Sequence, residues 1–300
     1  MSDYILSIEG TAEGHRLALA LALLSALAHA VFGALQKGRH DPWLTRGAID
    51  FCYFALALPV ALFVVPRPDG AVWALLGGAF VIHFFYKYLM AMAYTRAAYT
   101  VVYPVVRGTG PLATVVGAWL VFDEVFAPAQ WAGVAILSGG IFGLAAFNLT
   151  RTPVGREVLA TALLLALFTG FFVALYTVYD AYGMRAAPDP FTFLVWFFVV
   201  DGLAFPVIAW RRWHRLADPP TPGPLMLRGL LGALIAFVSF GSVMLATRLD
   251  KVGEAAVLRE TSTVWAALIG WAILREPVGP MRAALMVIIA LGAVVVELGG

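Results

Sequence analysis

Several titratable side chains of this 300-residue chain stand inside long apolar runs: His83, Lys87, Arg107, Asp201, Arg259 and Glu260. A charge there costs about 2.5–3.5 kcal/mol on insertion scales, so it tends to face a cavity or a partner. Two guanidiniums facing one cavity would hold an anionic or carboxylate-bearing solute, which arginine grips bidentately. The alternative for Arg107 and Arg259 is that each ties broken backbone or a nearby glutamate together. Pro104, Gly108, Gly110 and Pro111 surround Arg107, which predicts a broken or kinked helix with backbone groups free for a ligand. His83 and Lys87 share a stripe with Met90 and Tyr94. Lys87 is placed to bind an anion, to change protonation, or to snorkel to the nearer interface. A lone histidine such as His83 is more often a satisfied structural group than a functional one. Glu260 follows Arg259 directly and points to another face, where it can pair with Arg107 or Lys87 or carry a coupling proton. Asp201, opposite Phe54 in the internal repeat described below, reads as a packing partner ahead of a proton site.

Polar stripes extend this set. Ser25, His29 and Gln36 lie along one face of the first apolar run, and Thr169, Tyr176 and Asp180 along a similar face of the sixth. With Tyr103 and Trp265 they would line an amphipathic cavity, although such aromatics are commonly packing or interface anchors. The substrate-binding candidates are therefore Arg107, Arg259, Lys87, His83, Tyr103, His29, Tyr176 and Trp265, with Glu260 and Asp201 as coupling or charge-pair residues. Glu124 and Glu276 fall at span ends and read as loop caps, and Glu254 as interfacial. No catalytic or metal-ligating set is expected: H-E-x-x-H, G-x-S-x-G and the P-loop G-x-x-x-x-G-K-[ST] are all absent. Cys52 is the only cysteine and reads as apolar filler. No cofactor is implied.

The elements that must position these groups follow from composition. Residues are 62% hydrophobic and 13% charged, with a mean hydropathy of +0.88, far from the polar surface of a soluble domain. The net charge of +2 offers no nucleic-acid footprint. Met1–Arg16 carries Asp3, Glu9 and Glu13 rather than the positive start of a signal peptide, so the first apolar run reads as a retained helix. Runs of roughly 20 residues suit membrane-crossing helices, and they lack the alternation of barrel strands. Ten spans are expected, at 17–36, 47–65, 71–94, 98–121, 129–147, 157–180, 191–210, 225–247, 252–274 and 280–298. Pro66, Pro68 and Asp69 end the second; Asp123, Glu124 and Pro128 separate the fourth and fifth. The run 218–224, rich in proline, is expected to be loop.

The chain repeats itself. Shifted by 152 residues, 93–128 falls on 245–280 without a gap. Thr95-Arg96 then meets Thr247-Arg248, Arg107 meets Arg259, Thr109 meets Thr261, Trp119 meets Trp271, Glu124 meets Glu276 and Pro128 meets Pro280. Ala22 to Leu27 matches Ala162 to Leu167, and Phe32, Ala34 and Leu35 match Phe172, Ala174 and Leu175. The expected organisation is a polar segment 1–16, a five-helix unit 17–147, a linker 148–156 and a second five-helix unit 157–298. Five is odd, so the second unit enters from the opposite face, giving the inverted repeat common among secondary transporters. The fold class is thus an all-α polytopic membrane protein of ten helices in two inverted repeats.

Two segments carry a resemblance. Ala97 to Leu144, containing TGPLATVVGAWLVFDEVFAPAQWAGVAILSGGIFGL, is similar to the second part of an EamA repeat, and so is VLRETSTVWAALIGWAILREPVGPMRAALMVIIALGAVVVEL. EamA proteins belong to the drug/metabolite transporter superfamily, and Glu124 and Glu276 sit where that family places an acidic residue. The resemblance implies transport of amino acids, metabolites, drugs, sugars or choline, and cytoplasmic termini. The chain departs from the common pattern at Arg107 and Arg259, where many members carry apolar or small residues.

Charge bias points the other way on orientation. Twelve Lys and Arg fall on the side of the loops after the odd-numbered spans and five on the side of the termini, which favours termini outside. The function these observations favour is secondary transport of a small anionic or zwitterionic metabolite across the inner (plasma) membrane, by alternating access and with proton coupling or exchange. A flippase for a lipid-linked or amphipathic phosphate head group is the alternative within transport, and an intramembrane enzyme the reading from another class. The expected partners are a small-molecule substrate and the lipid bilayer, without nucleic acid, in a monomer or homodimer.

Overall fold

The computed structural model describes residues 2–36, 41–96, 99–150, 156–272 and 279–300. Among the described residues every regular element is a helix. A short α1 (Ser2–Ile8) precedes α2 (Ala12–Gln36), α3 (Pro42–Phe63), α4 (Gly70–Arg96), α5 (Tyr99–Phe122) and α6 (Pro128–Leu149). The second half holds α7 (Arg156–Ala186), α8 (Pro190–Asp201), α9 (Ala204–Trp213), α10 (Pro222–Leu249), α11 (Val252–Arg259), α12 (Ser262–Ala272) and α13 (Pro280–Leu298).

Nine segments among the described residues are long and apolar enough to span a bilayer. The protein is a multi-pass membrane protein. The expected span 252–274 is not one helix: it breaks at Glu260-Thr261 into α11 and α12. Thr261, Ser262 and Thr263 follow the glutamate, and such hydroxyls compete for the backbone. The Thr261 Oγ1 donates to the Leu258 carbonyl at 2.7 Å, and the Thr263 N–H turns back to the Glu260 carbonyl at 3.1 Å. No break occurs around Arg107, since α5 runs unbroken from Tyr99 to Phe122; the break sits instead beside its repeat mate, Arg259. The span 191–210 bends at Asp201-Leu203 into α8 and α9. Helix α10 begins at Pro222, inside the stretch expected to be loop. Prolines fit there because the first turn needs no N–H partner.

Helix starts are set by local chemistry. Asp41 caps α3 by accepting from the Trp43 and Leu44 N–H groups at 2.9 and 3.3 Å. Asp189 caps α8 by accepting from Phe191 and Thr192 at 2.7 and 3.1 Å. In both, proline follows the cap at the first helical position.

Packing partners come in matched sets. α2 packs on α10 as α7 packs on α4. α5 packs on α7 as α11 and α12 pack on α2. α3 packs on α10 as α8 packs on α4. α6 and α13 lie against each other through glycines: a Cβ on Gly292 would stand 2.5 Å from the Leu137 nitrogen, and one on Gly133 2.8 Å from the Gly292 carbonyl oxygen. Small residues permit such close backbone approach within a bilayer.

Outside the described residues lie Lys37, Arg39, Arg151 and Arg275 of the charge tally, the acidic match Glu276, and residues 151–155 of the expected linker. The side chain of Gln36 also lies outside them.

Candidate functional site

Among the described residues, three clusters of charged side chains gather the sequence candidates in the interior of the bundle. The first is built on α2, α5, α10 and α11. Arg107 Nη1 donates to Glu260 Oε1 at 2.8 Å, and its Nη2 reaches His29 Nε2. Arg259 Nη2 approaches His29 Nδ1 at 3.5 Å. The Ser239 hydroxyl also meets Nδ1, at 3.3 Å, and Ser239 is tied to α2 by the Ser25 hydroxyl, which donates to the Ser239 carbonyl at 2.6 Å. Arg107 lies over the Tyr103 ring, 5.2 Å from its centroid, and Arg259 over Phe240, at 4.8 Å. All four ionisable groups are buried.

The chemistry of the ring fixes the arrangement. A guanidinium can only donate, so Nε2 of His29 must accept from Arg107. The remaining proton of the neutral ring then sits on Nδ1, directed at the Ser239 oxygen, and Arg259 gains no acceptor from it. Among the described residues no carboxylate lies within 4.0 Å of Arg259, and its Nε has no hydrogen-bond partner. Glu260 balances one arginine, so the group carries one positive charge in excess.

The second group joins α3, α4 and α8. Lys87 Nζ meets Asp50 at 2.6 Å, Asp201 at 2.7 Å and the Tyr53 hydroxyl at 2.8 Å. Arg46 Nε reaches Asp50 at 2.7 Å, and the Tyr53 hydroxyl also contacts Asp201. Two cations face two carboxylates, and the group is neutral. Lys87 does not snorkel; it is 3% exposed and spends its donors inside the protein.

The third group is a pair: His83 Nε2 and Asp180 Oδ2 lie 2.8 Å apart, linking α4 to α7. Aromatic rings enclose it, with Tyr176 and Phe197 centroids at 4.5 and 4.8 Å from the imidazole. Asp180 Oδ1 is buried without a hydrogen-bond partner.

A narrow cavity of about 60 Å³ runs between the first two groups, walled by His29, Arg46, Tyr86, Lys87, Tyr103 and Arg107. Its other wall residues include Gly33, Pro42 and Tyr94, which places it toward the end of the bundle where α2 and α4 finish and α3 begins. The opposite end is closed by side chains. Asp123 takes φ 55° after α5, a left-handed turn that aspartate tolerates. The turn sends Glu124 across to the N-terminus of α11, where its carboxylate accepts from the Val252 and Gly253 N–H groups at 2.8 and 3.0 Å. Arg185 joins Glu124 at 3.3 Å and the Asp250 carbonyl at 2.7 Å. Lys251 donates to Glu254 at 2.8 Å. Burial works against the Lys251 ammonium, yet that hydrogen bond raises its pKa above the usual lysine value. Glu254 is itself buried and accepts from Gln130 at 2.7 Å. His15 meets Asp250 at the rim.

Seven of the eight expected substrate-binding residues thus stand in or against one interior layer: His29, His83, Lys87, Tyr103, Arg107, Tyr176 and Arg259. Trp265 stands apart, 37% exposed, in an outward apolar groove with Leu19, Leu23 and Val294. Glu260 pairs with Arg107, and Asp201 with Lys87. Sequence reasoning passed over Asp50 and Tyr53 and counted Arg46 as a loop charge. The signal was there in the spacing of Arg46 and Asp50, four residues apart on one helical face, with the aspartate already inside an apolar run.

Residues 160–298 match the EamA-like transporter family. The match covers most of the second half of the chain, agrees with the resemblance read in its C-terminal segment, and suggests a membrane transporter of the drug/metabolite type. A solved crystal structure superposes with a TM-score of 0.72 over 95% of this chain and 96% of its own, at 20% identity, which is likeness of fold. No curated protein matches the chain.

Proposed function

We propose that the protein is a secondary transporter of two inverted five-helix units that carries a small carboxylate-bearing solute, anionic or zwitterionic, across the inner membrane. The excess positive charge of the Arg107, Arg259, Glu260 and His29 group carries this reading. A buried guanidinium without a carboxylate is held at high cost unless a ligand supplies one, and Arg259, which does not itself line the cavity, stands beside His29, which does. The matched packing sets, and the Asp-Pro starts shared by α3 and α8, support the two-unit organisation. The odd helix number of each unit then requires inversion, and a site between the units can open to either face in turn. With no P-loop in the chain, proton coupling or exchange drives it.

The large apolar hollows of the structure, about 590 and 420 Å³, face outward and include neither arginine. That separation favours a solute reaching the site through the polar cavity over a lipid-linked head group. The test is thermal stabilisation of the purified protein by small carboxylates, amino acids, phosphate esters and cations. A ligand that binds only the folded state raises stability by mass action, about 2.7 kcal/mol at one hundred times its Kd. Stabilisation by carboxylates that is lost in Arg259→Ala is the expected outcome. Stabilisation by cations or neutral amphiphiles alone overturns the reading.

A further inference from the structure

We infer that His83 and Asp180 form the proton site of this transporter, and that a carboxylate bound at Arg259 loads it, so that one proton travels with each solute molecule. The inference rests on the carboxylate reading of the arginine site and adds the coupling ion, its residues and the direction of coupling.

The charge balance of the interior leads to it. The Lys87 group is neutral, and Arg107 with Glu260 is neutral. With the His83 imidazole neutral in the empty state, what remains of these groups is one unbalanced cation, Arg259, and one unbalanced anion, Asp180. Arg259 and His83, the partner of Asp180, are neighbours across a single ring. Arg259 lies 4.8 Å from the Phe240 centroid, and the His83 imidazole 6.4 Å from the same centroid. In the empty state the guanidinium therefore offsets the aspartate through a low-dielectric aromatic layer. A solute carboxylate on Arg259 cancels that charge and leaves the aspartate in excess. A proton on the His83–Asp180 pair restores the balance.

The pair is built to take that proton and little else. The neutral imidazole donates from Nε2 to the Asp180 carboxylate at 2.8 Å, which leaves Nδ1 to receive the incoming proton. Imidazolium and carboxylate then stand as an ion pair. The described cavity is not walled by His83 or Asp180, but it reaches Tyr86, whose ring centroid lies 6.2 Å from the imidazole. The pair is thus one aromatic layer from that cavity. Other groups of the surrounding helices are accounted for. Tyr86 and Lys87 lie on α4, Tyr103 and Arg107 on α5, Tyr176 and Tyr179 on α7, Asp201 on α8, Arg259 on α11, and Arg46, Asp50 and Tyr53 on α3, with Arg107 spent on Glu260. Lys87 and Arg46 are spent on Asp50 and Asp201, and α10 presents the uncharged Phe240. Besides His83, the charges that bear on Asp180 are those of Asp201 and Arg259.

The stoichiometry has an electrical consequence. A monocarboxylate moves with one proton without net charge, whereas a zwitterion moves with one positive charge.

The experiment is a pH titration of the His83 imidazole by ¹⁵N NMR in nanodiscs. The protein is labelled at its five histidines and the signal assigned with His83→Gln. Removing the charge in Arg259→Gln is expected to raise the His83 midpoint by about one pH unit, a tenfold gain in proton affinity. Arg259→Lys, which keeps the charge, is expected to leave it in place. Sodium acetate as probe is expected to raise the wild-type midpoint and to leave Arg259→Gln unmoved. Equal midpoints in wild type and Arg259→Gln overturn the inference, as does an equal rise in Arg259→Lys. A rise in Arg259→Gln with acetate inert on wild type overturns the carboxylate loading, together with the reading of the site on which it rests, and leaves the Arg259–His83 charge coupling standing.

Discussion

Arg107 of α5 and Glu260, the residue that ends α11, form a buried ion pair at 2.8 Å across the two halves of the chain. The two repeat-mate arginines are therefore not equivalent, although both reach His29. Among the described residues Arg259 has no carboxylate partner, so its truncation strands none. We expect Arg259→Ala to fold and to weaken carboxylate binding about 10- to 100-fold, the worth of about 1.5–3 kcal/mol for a charged hydrogen bond. Arg107→Ala strands Glu260 in the interior and should cost about 3–5 kcal/mol of stability, with part recovered in Arg107→Ala/Glu260→Gln. Melting curves and carboxylate titrations on the three variants decide this; equal stability of Arg107→Ala and Arg259→Ala would contradict the assignment of Glu260 to Arg107.

The Lys87 group makes a second prediction about balance. Lys87→Ala leaves Asp50 and Asp201 facing each other with only Arg46 between them, and should reduce folded yield sharply, by a stability loss of about 3–5 kcal/mol. Lys87→Met/Asp201→Asn removes one charge of each sign, keeps the Arg46–Asp50 pair and should recover most of the folded protein. Size-exclusion profiles and melting temperatures are the readout, and a double variant no better than the single one refutes charge balance as the cause.

Much of this was legible in the sequence because bilayer physics is severe. Apolar runs of span length, prolines between them and a repeat of Arg, Trp, Glu and Pro in one register placed the helices and singled out Arg107, Arg259, Lys87, His83 and Glu260. The break at Glu260-Thr261 was not legible, because its cause is a hydroxyl run that elsewhere sits inside continuous helices; the proline and glycine cluster around Arg107 was the louder signal, and α5 absorbed it. Asp50 escaped notice because it falls near the start of an expected span, where a charge needs no explanation. Helix α3 begins five residues earlier than the expected span, at Pro42, and this carries Asp50 into full burial. Which acid meets which base is decided by the rotation of each helix about its axis, and that is a property of packing that a single strand of sequence does not display.

Glu124 caps a helix it does not belong to. Its carboxylate takes the Val252 and Gly253 N–H groups of α11 and holds Arg185, so one acidic side chain closes the end of the bundle opposite the cavity. Glu124→Ala should lower stability by about 1 kcal/mol for the lost cap and speed hydrogen exchange at Val252 and Gly253. Arg185→Gln should produce a smaller change at the same amides. Unaltered exchange at Val252 and Gly253 in Glu124→Ala would show that the cap does not hold this end shut.

The contact of α6 with α13 offers the plainest steric test. Gly292 lies so close to Leu137 that an added Cβ would stand 2.5 Å from the backbone nitrogen, and backbone cannot move aside as a flexible side chain does. Within a bilayer the two helices gain little from expelling water, so their association depends on this close approach. Gly292→Val forces the helices apart and, on the scale of an overpacked core, should cost about 1–3 kcal/mol. Gly279→Ala serves as the control, since nothing lies within 4 Å of its added Cβ. A disulfide-trapping pair across α6 and α13 should form efficiently in wild type and in Gly279→Ala and poorly in Gly292→Val. Equal trapping in all three would mean that the α6–α13 pairing does not rest on the glycine contact.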